Sequence, residues 1–360
     1  MAQDRFITPP LSLWLDLVRG LAALVVLIGH GVQSKLYTGP WPFSILLQHN
    51  AVTVFFVLSG LVIATSVDSR PGSLRDYAIA RASRILPVAL PAVLLSVILA
   101  SISNEILPAT DGKPPLRPMQ TALATVFLSE SFGPGWALNA PYWSLCYEVW
   151  FYALFGAWTY LRGKARLAWT AGLALVAGAN ILLLLPIWLV GVALARDPAA
   201  KVTDPVRGAS FLIGGLIVFH LVSGMAPAVL DALMPHYPWN LGYALYAPTD
   251  LLLGLAVAAC FIGLRPLVAL VPDALVPFER PIRWLAGCSF SIYLFHAPVL
   301  HLLYSAGLGA GENFAGFLMI MVVIIALCAA LAQVTEHRRP AVQAWLERVV
   351  PRGRSLPAAA

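Results

Sequence analysis

Apolar residues do not alternate with polar ones along this chain; they run in long blocks. Windows at or near the 17–25 residues that cross a bilayer can be drawn at 12–34, 45–66, 85–103, 143–161, 167–182, 183–196, 208–225, 248–264, 284–303 and 313–334. Several are short, and Pro186 sits early in the sixth. Blocks of this kind predict an all-α, polytopic integral membrane protein of about ten transmembrane helices. Between 104 and 142 the blocks give way to Pro, Gly and Asp, which predicts an external excursion.

Charge decides how the apolar part of that excursion, "MQTALATVFLSESFG" at 119–133, is counted. With ten spans both ends of the chain lie on one side, and 20 of the 23 Lys and Arg residues lie there with them. Only Lys35, Lys113 and Arg117 fall on the other side. Such a bias marks the crowded side as cytoplasmic, so the expected location is the cell inner membrane with both termini inside. Counting 119–133 as a span would send the RGKAR loop and the Arg-rich tail outside, so this segment is expected to re-enter the membrane without crossing it.

Composition agrees with the pattern: 59% of residues are hydrophobic, 11% are charged, and the mean hydropathy is +0.80. The first apolar block runs past Gly31 without a small-residue cleavage pattern, and so reads as a permanent helix rather than a signal peptide. No internal repeat stands out; residues 1–340 read as one membrane domain and 341–360 as a cytoplasmic tail. The net charge of +6 is explained by the cytoplasmic loops, and no basic run interleaved with aromatics points to nucleic acid. Cys146, Cys260, Cys288 and Cys328 lie in apolar segments at no metal-ligand or redox spacing, so no metal is expected.

Ionisable groups inside spans are costly and mark cavities or partners. In "LVRGLAALVVLIGHGVQ" (17–33), Arg19 and His30 are eleven positions apart, about three helical turns, so they share a face with ~16 Å between them. In "YWSLCYEVWFY" (142–152), Ser144, Glu148 and Tyr152 recur every four residues on one face. Measured from the outer helix ends, Glu148 lies ~9 Å deep and His30 ~6 Å deep. Such a pair can be a base and its orienter, or a buried pair that fixes packing. Arg81 and Arg84 stand at a cytoplasmic helix start before Pro87, either as forks for phosphate or as topology anchors. "CSFSIYLFHAPVL" (288–300) places Ser289, Ser291, Tyr293 and His296 along one span. Ser59 and Gly60 in "FFVLSGLVI" (55–63) either let two helices approach closely or leave a gap for a slender ligand. His49, His220, His236 and His301 have no evident partner and read as structural.

Taken together these stretches resemble membrane acyltransferase family 3, the bacterial integral-membrane O-acyltransferases. "LDLVRGLAALVVLIGH" is similar to the family's Asp-x-x-Arg, ten further residues and a histidine, beginning here at Asp16. "FFVLSG", the Arg-x-x-Arg-x-x-Pro of 81–87, "YWSLCYEVWFY" and "SIYLFH" resemble its later signatures in the same order. Two departures stand out: Leu17 replaces the family's common glycine, and no hydrolase-like domain follows the last span.

The resemblance implies ten spanning helices, acyl-CoA (acetyl-CoA by default) as donor from the cytoplasm, and a hydroxyl acceptor met on the far side, a carbohydrate or glycolipid. It puts the family's essential Arg and His on Arg19 and His30. On this reading Arg19, Arg81 and Arg84 hold the anionic end of the donor, and its thin arm passes Ser59 and Gly60. His30 then acts as general base, oriented by Glu148, or carries the acyl group itself. Asp16, Ser144, Tyr152, Tyr293 and His296 are further candidates. A secondary transporter using the buried Arg, His and Glu for ion coupling is the rival. It leaves the arginines clustered at one mouth unexplained.

Overall fold

The apolar blocks become helices in the computed structural model, which describes residues 5–44, 46–70, 72–106, 116–132, 135–236 and 241–351. In chain order they are α1 (Pro9–Gln33), α2 (Leu47–Ser69), α3 (Leu74–Ile106), α4 (Pro118–Thr125), α5 (Ser129–Phe132) and α6 (Tyr142–Tyr160). There follow α7 (Gly163–Arg196), α8 (Pro205–Leu233), α9 (Ala247–Leu270), α10 (Glu279–Ser305), α11 (Phe314–Val334) and α12 (Arg339–Val349). Among the described residues there is no strand, as expected for an all-α membrane protein. Eight of these helices, α1, α2, α3, α7, α8 and those built on α9, α10 and α11, are long and apolar enough to cross a membrane. The 19-residue α6, rich in Trp and Tyr and carrying Glu148, is the less apolar addition at 143–161.

One helix holds two expected spans. At Gly178 the backbone of α7 takes φ 82°, ψ 169°, a conformation open essentially to glycine alone, and the helix is broken there. Just before α7, Tyr160 packs on Tyr77 in the first turn of α3 (ring centroids 5.5 Å apart), and at its far end Arg196 binds Asp68 at the end of α2 (2.9 Å). Gly178 itself lies against the Ser131 carbonyl of α5, at the opposite end of the bundle. The chain therefore doubles back at Gly178, a few residues before the 182/183 junction drawn from hydropathy.

Polar contacts tie one end of the bundle together. Arg265 donates to the carbonyls of Phe6 and Val202, Arg283 reaches Asp16, and Arg75 caps the end of α12 through Glu347 O (2.7 Å) and Val350 O. The start of α1, the α2–α3 and α7–α8 connections, the end of α9 and the start of α10 thus share this arginine end with α12. The domain boundary drawn at 340 falls inside α12, which lies on α3 rather than trailing as a tail.

The described part of segment 119–133 does not cross. It forms α4 and α5, of 8 and 4 residues, both too short to span. Its backbone nevertheless enters the bundle: the Trp150 indole donates to Phe127 O at 2.9 Å, and Trp150 lies ~12 Å along α6 from Tyr142. Irregular backbone is tolerated at such depth because α3, α6 and α7 surround it.

Small residues set the closest helix contact. A Cβ on Gly60 would stand 2.0 Å from Trp188 O, and one on Gly191 2.0 Å from Val57 O, so α2 and α7 touch backbone to backbone. Farther out, α8 leaves Ile213, Leu216 and Leu221 more than half exposed. That surface suits hydrocarbon, not water.

Candidate active site

His30, in the last turn of α1, meets His296 of α10. Nδ1 of His30 and Nε2 of His296 lie 2.8 Å apart, with the rings stacked at 5.0 Å and 16°. His296 is fully buried, and its Nδ1 lies 2.8 Å from Ile292 O, one helical turn back. A carbonyl only accepts, so His296 Nδ1 carries the proton, and in the neutral ring Nε2 is a lone pair. That lone pair must take the Nδ1 proton of His30, which leaves Nε2 of His30 as a base with no protein partner among the described residues. His30 lines two cavities, of about 450 and 230 Å³.

The expected contact between His30 and Glu148 is not the one found. Glu148 Oε1 accepts from Ser59 Oγ (2.5 Å) and from Tyr152 OH. Ser59 Oγ also lies 3.1 Å from Tyr152 OH and accepts from Trp188 Nε1 at 3.2 Å. Equal depth on two helices does not make two side chains face each other, and α6 turns Glu148 toward α2. There it lines a third cavity, about 80 Å³, together with Ser59, Tyr152, Ser289, Arg19 and Arg84.

Val52 and Tyr293 belong to the walls of both the Glu148 cavity and the 450 Å³ cavity of His30. Tyr293 OH is held by Ser144 Oγ at 2.6 Å, and its ring stands edge-on to Phe55. The two cavities therefore follow one another through the bundle, arginines at one end and His30 at the other, with Tyr293 between them. Ser291 bonds Glu336 instead (3.0 Å) and stands on neither wall.

The arginines divide. Arg84 lines the small cavity and forms no hydrogen bond or ion pair among the described residues, so its fork is free for an anion. Arg19 is paired with Asp16 at 3.0 Å, and Asp16 also reaches Arg283. Arg81 lies behind Tyr152, its guanidinium over the Tyr77 and Tyr152 rings at 5.7 and 5.8 Å. Gly60 is not on the cavity wall: of its two readings, close helix approach is the one found.

Three residues that stand beside these groups were not foreseen. His49 Nε2 binds both carboxylate oxygens of Asp250 (3.1 and 2.9 Å) in the wall of the His30 cavity, although its sequence context read as structural. Asp250 is an acidic residue inside an apolar window, the signal that singled out Glu148, and it could have been found that way. Arg339, the first residue of α12, lies close enough to Arg81 and Arg84 for their charges to interact. No signal in the local sequence separates it from its neighbours. Among the described residues, no group of three His, Cys, Asp or Glu converges as a metal site.

An acyltransferase domain family matches residues 12–333. The chain is similar to the exopolysaccharide production protein ExoZ of Rhizobium meliloti (strain 1021), 26% identical over 317 residues that cover 84% of this chain and 92% of that protein. No solved structure matches it.

Proposed function

The chain belongs to the acyltransferase domain family, and from that premise we propose that it moves an acyl group, acetyl by default, from acyl-CoA on the cytoplasmic side to a hydroxyl of a cell-envelope carbohydrate. The acceptor class draws on the likeness to an exopolysaccharide production protein. The sidedness draws on the distribution of Lys and Arg, which puts the arginine end in the cytoplasm of an inner-membrane protein.

The observation that carries the reading is the relay from Ile292 O through His296 to His30, which leaves His30 Nε2 as a free base at the cavity wall. His30 Nε2 takes the proton of the acceptor hydroxyl as its oxygen attacks the thioester carbonyl. The tetrahedral intermediate collapses, the C–S bond breaks, and the imidazolium returns the proton to the departing thiolate. His296 orients the ring and holds its tautomer, the part that the family resemblance gives to Glu148.

Donor binding falls to the other cavity. Arg84, with Arg19 beside it, meets the anionic end of the donor. The donor's thin arm runs along the Ser59, Glu148 and Tyr152 wall and past Tyr293 to His30. Glu148 and Tyr152 then hold the acyl arm in place, and their contribution to catalysis is through the donor.

Purified protein in detergent tests this directly with labelled acetyl-CoA. Thiol release and ester formation on envelope polysaccharide are expected of the wild type and lost in His30→Ala, with the variant still monodisperse. Transfer at the wild-type rate by His30→Ala would overturn the role of His30, and indifference to acetyl-CoA the choice of donor.

A further inference from the structure

The 450 Å³ cavity holds more than His30. Its other wall carries His49, Trp143, Tyr243 and Tyr246, and the rings are layered. Trp143 and Tyr243 stack at 4.2 Å and 12°, Tyr246 lies 4.2 Å from the His49 ring, and His49 is nearly parallel to Trp143 at 5.7 Å. Asp250, in the first turn of α9 and 3% exposed, grips His49 through Nε2. A carboxylate buried in a span is costly unless paired, and here the imidazole of His49 is its partner.

The other ring nitrogen is unspent. His49 is 8% exposed, and its Nδ1 is buried with no hydrogen-bond partner among the described residues. A buried polar atom without a partner is rare and points to a group that binds there. A hydroxyl suits it in either protonation state, because a hydroxyl both donates and accepts. Flat aromatic faces beside hydroxyl-binding nitrogens match a sugar ring, which has an apolar C–H face and a rim of hydroxyls.

We propose that His49, held by Asp250, and the Trp143, Tyr243 and Tyr246 wall form the acceptor subsite, which binds one sugar ring of an envelope polysaccharide and presents a hydroxyl to His30. This rests on the acyl-transfer reading and names the substrate site within it. His49 is an acceptor-binding residue; Asp250 positions it. The sugar's hydrogen bond to Nδ1 fixes its orientation on the aromatic wall, so the subsite selects which hydroxyl reaches His30.

The test uses the full-length protein in detergent, acetyl-CoA, and alkali-de-esterified envelope polysaccharide from the source cells, with oligosaccharide fragments of it for calorimetric binding. His49→Gln keeps a donor for the Asp250 carboxylate and removes Nδ1; Asp250→Asn keeps His49 and loosens its hold. The expected result is a KM for polysaccharide raised about tenfold or more in His49→Gln, and less in Asp250→Asn, with the KM for acetyl-CoA within about twofold. Fragment binding weakens by the same factor. Equal shifts in both KM values, or unaltered fragment binding in both variants, would overturn the subsite. Wild type that binds fragments through His49 but never acylates them sinks the transfer reading and leaves the subsite standing. Wild type that neither binds nor acylates them sinks both.

Discussion

His30 Nδ1 and His296 Nε2 are 2.8 Å apart, and the carbonyl of Ile292 sets the direction of the proton between them. Replacing His296 with Phe keeps a ring in the space and removes the acceptor of the His30 proton. The tautomer of His30 is then unfixed, and turnover should fall by about 10²–10⁴, the span of general-base catalysis. The KM for acetyl-CoA should hold. Steady-state kinetics on the purified variant check this, and turnover within threefold of wild type would remove His296 from the relay.

Glu148 shares its cavity with Arg19 and Arg84 and its hydrogen bonds with Ser59 and Tyr152. Glu148→Gln is therefore expected to raise the KM for acyl-CoA more than it lowers kcat. A fall in kcat at unchanged KM would return Glu148 to the chemistry at His30.

Arg84 and Arg81 should separate. Lysine keeps a positive charge at the membrane boundary but lacks the bidentate fork. Arg84→Lys is expected to raise the KM for acetyl-CoA, and to do so less for acetyl-pantetheine, which lacks the nucleotide phosphates. Arg81→Lys, whose guanidinium rests on two tyrosine rings, should shift the donor KM less. Equal shifts for the two variants would put Arg81 on the donor as well, and equal shifts for the two donors, or none on either, would make both arginines anchors only.

Gly60→Ala tests the α2–α7 contact. Its Cβ would meet the Trp188 carbonyl at 2.0 Å, and backbone cannot move aside as a side chain can. Overpacking of this kind costs about 1–3 kcal/mol, and more where backbone is met. A lower thermal midpoint in detergent is expected, and an unchanged midpoint would mean that the helices do not touch there.

Arg75 closes the C-terminal end of α12 through Glu347 O and Val350 O. Its replacement by alanine leaves those carbonyls without their cap. Hydrogen exchange across 339–349 should quicken while α10 stays protected; unaltered exchange would show that α12 is held by other contacts.

The membrane class, the placement of most helices and the non-crossing excursion were legible in the linear pattern, because hydrocarbon demands long apolar runs with internally paired backbone. Helical periodicity likewise put Arg19 and His30 on one face and joined Ser144, Glu148 and Tyr152. What a linear pattern carries is depth along each helix and the spacing of side chains on it. It does not carry rotation about the helix axis, which is settled only when helices pack. For that reason Glu148 faces Ser59 rather than His30, and His30 takes a partner 266 positions away. His49, unremarkable in its own segment, acquires Asp250 from 201 positions away. The reversal between the windows 167–182 and 183–196 was legible, but its place at Gly178 was not, since one glycine among several in an apolar run is marked only by the backbone conformation that tertiary packing imposes on it.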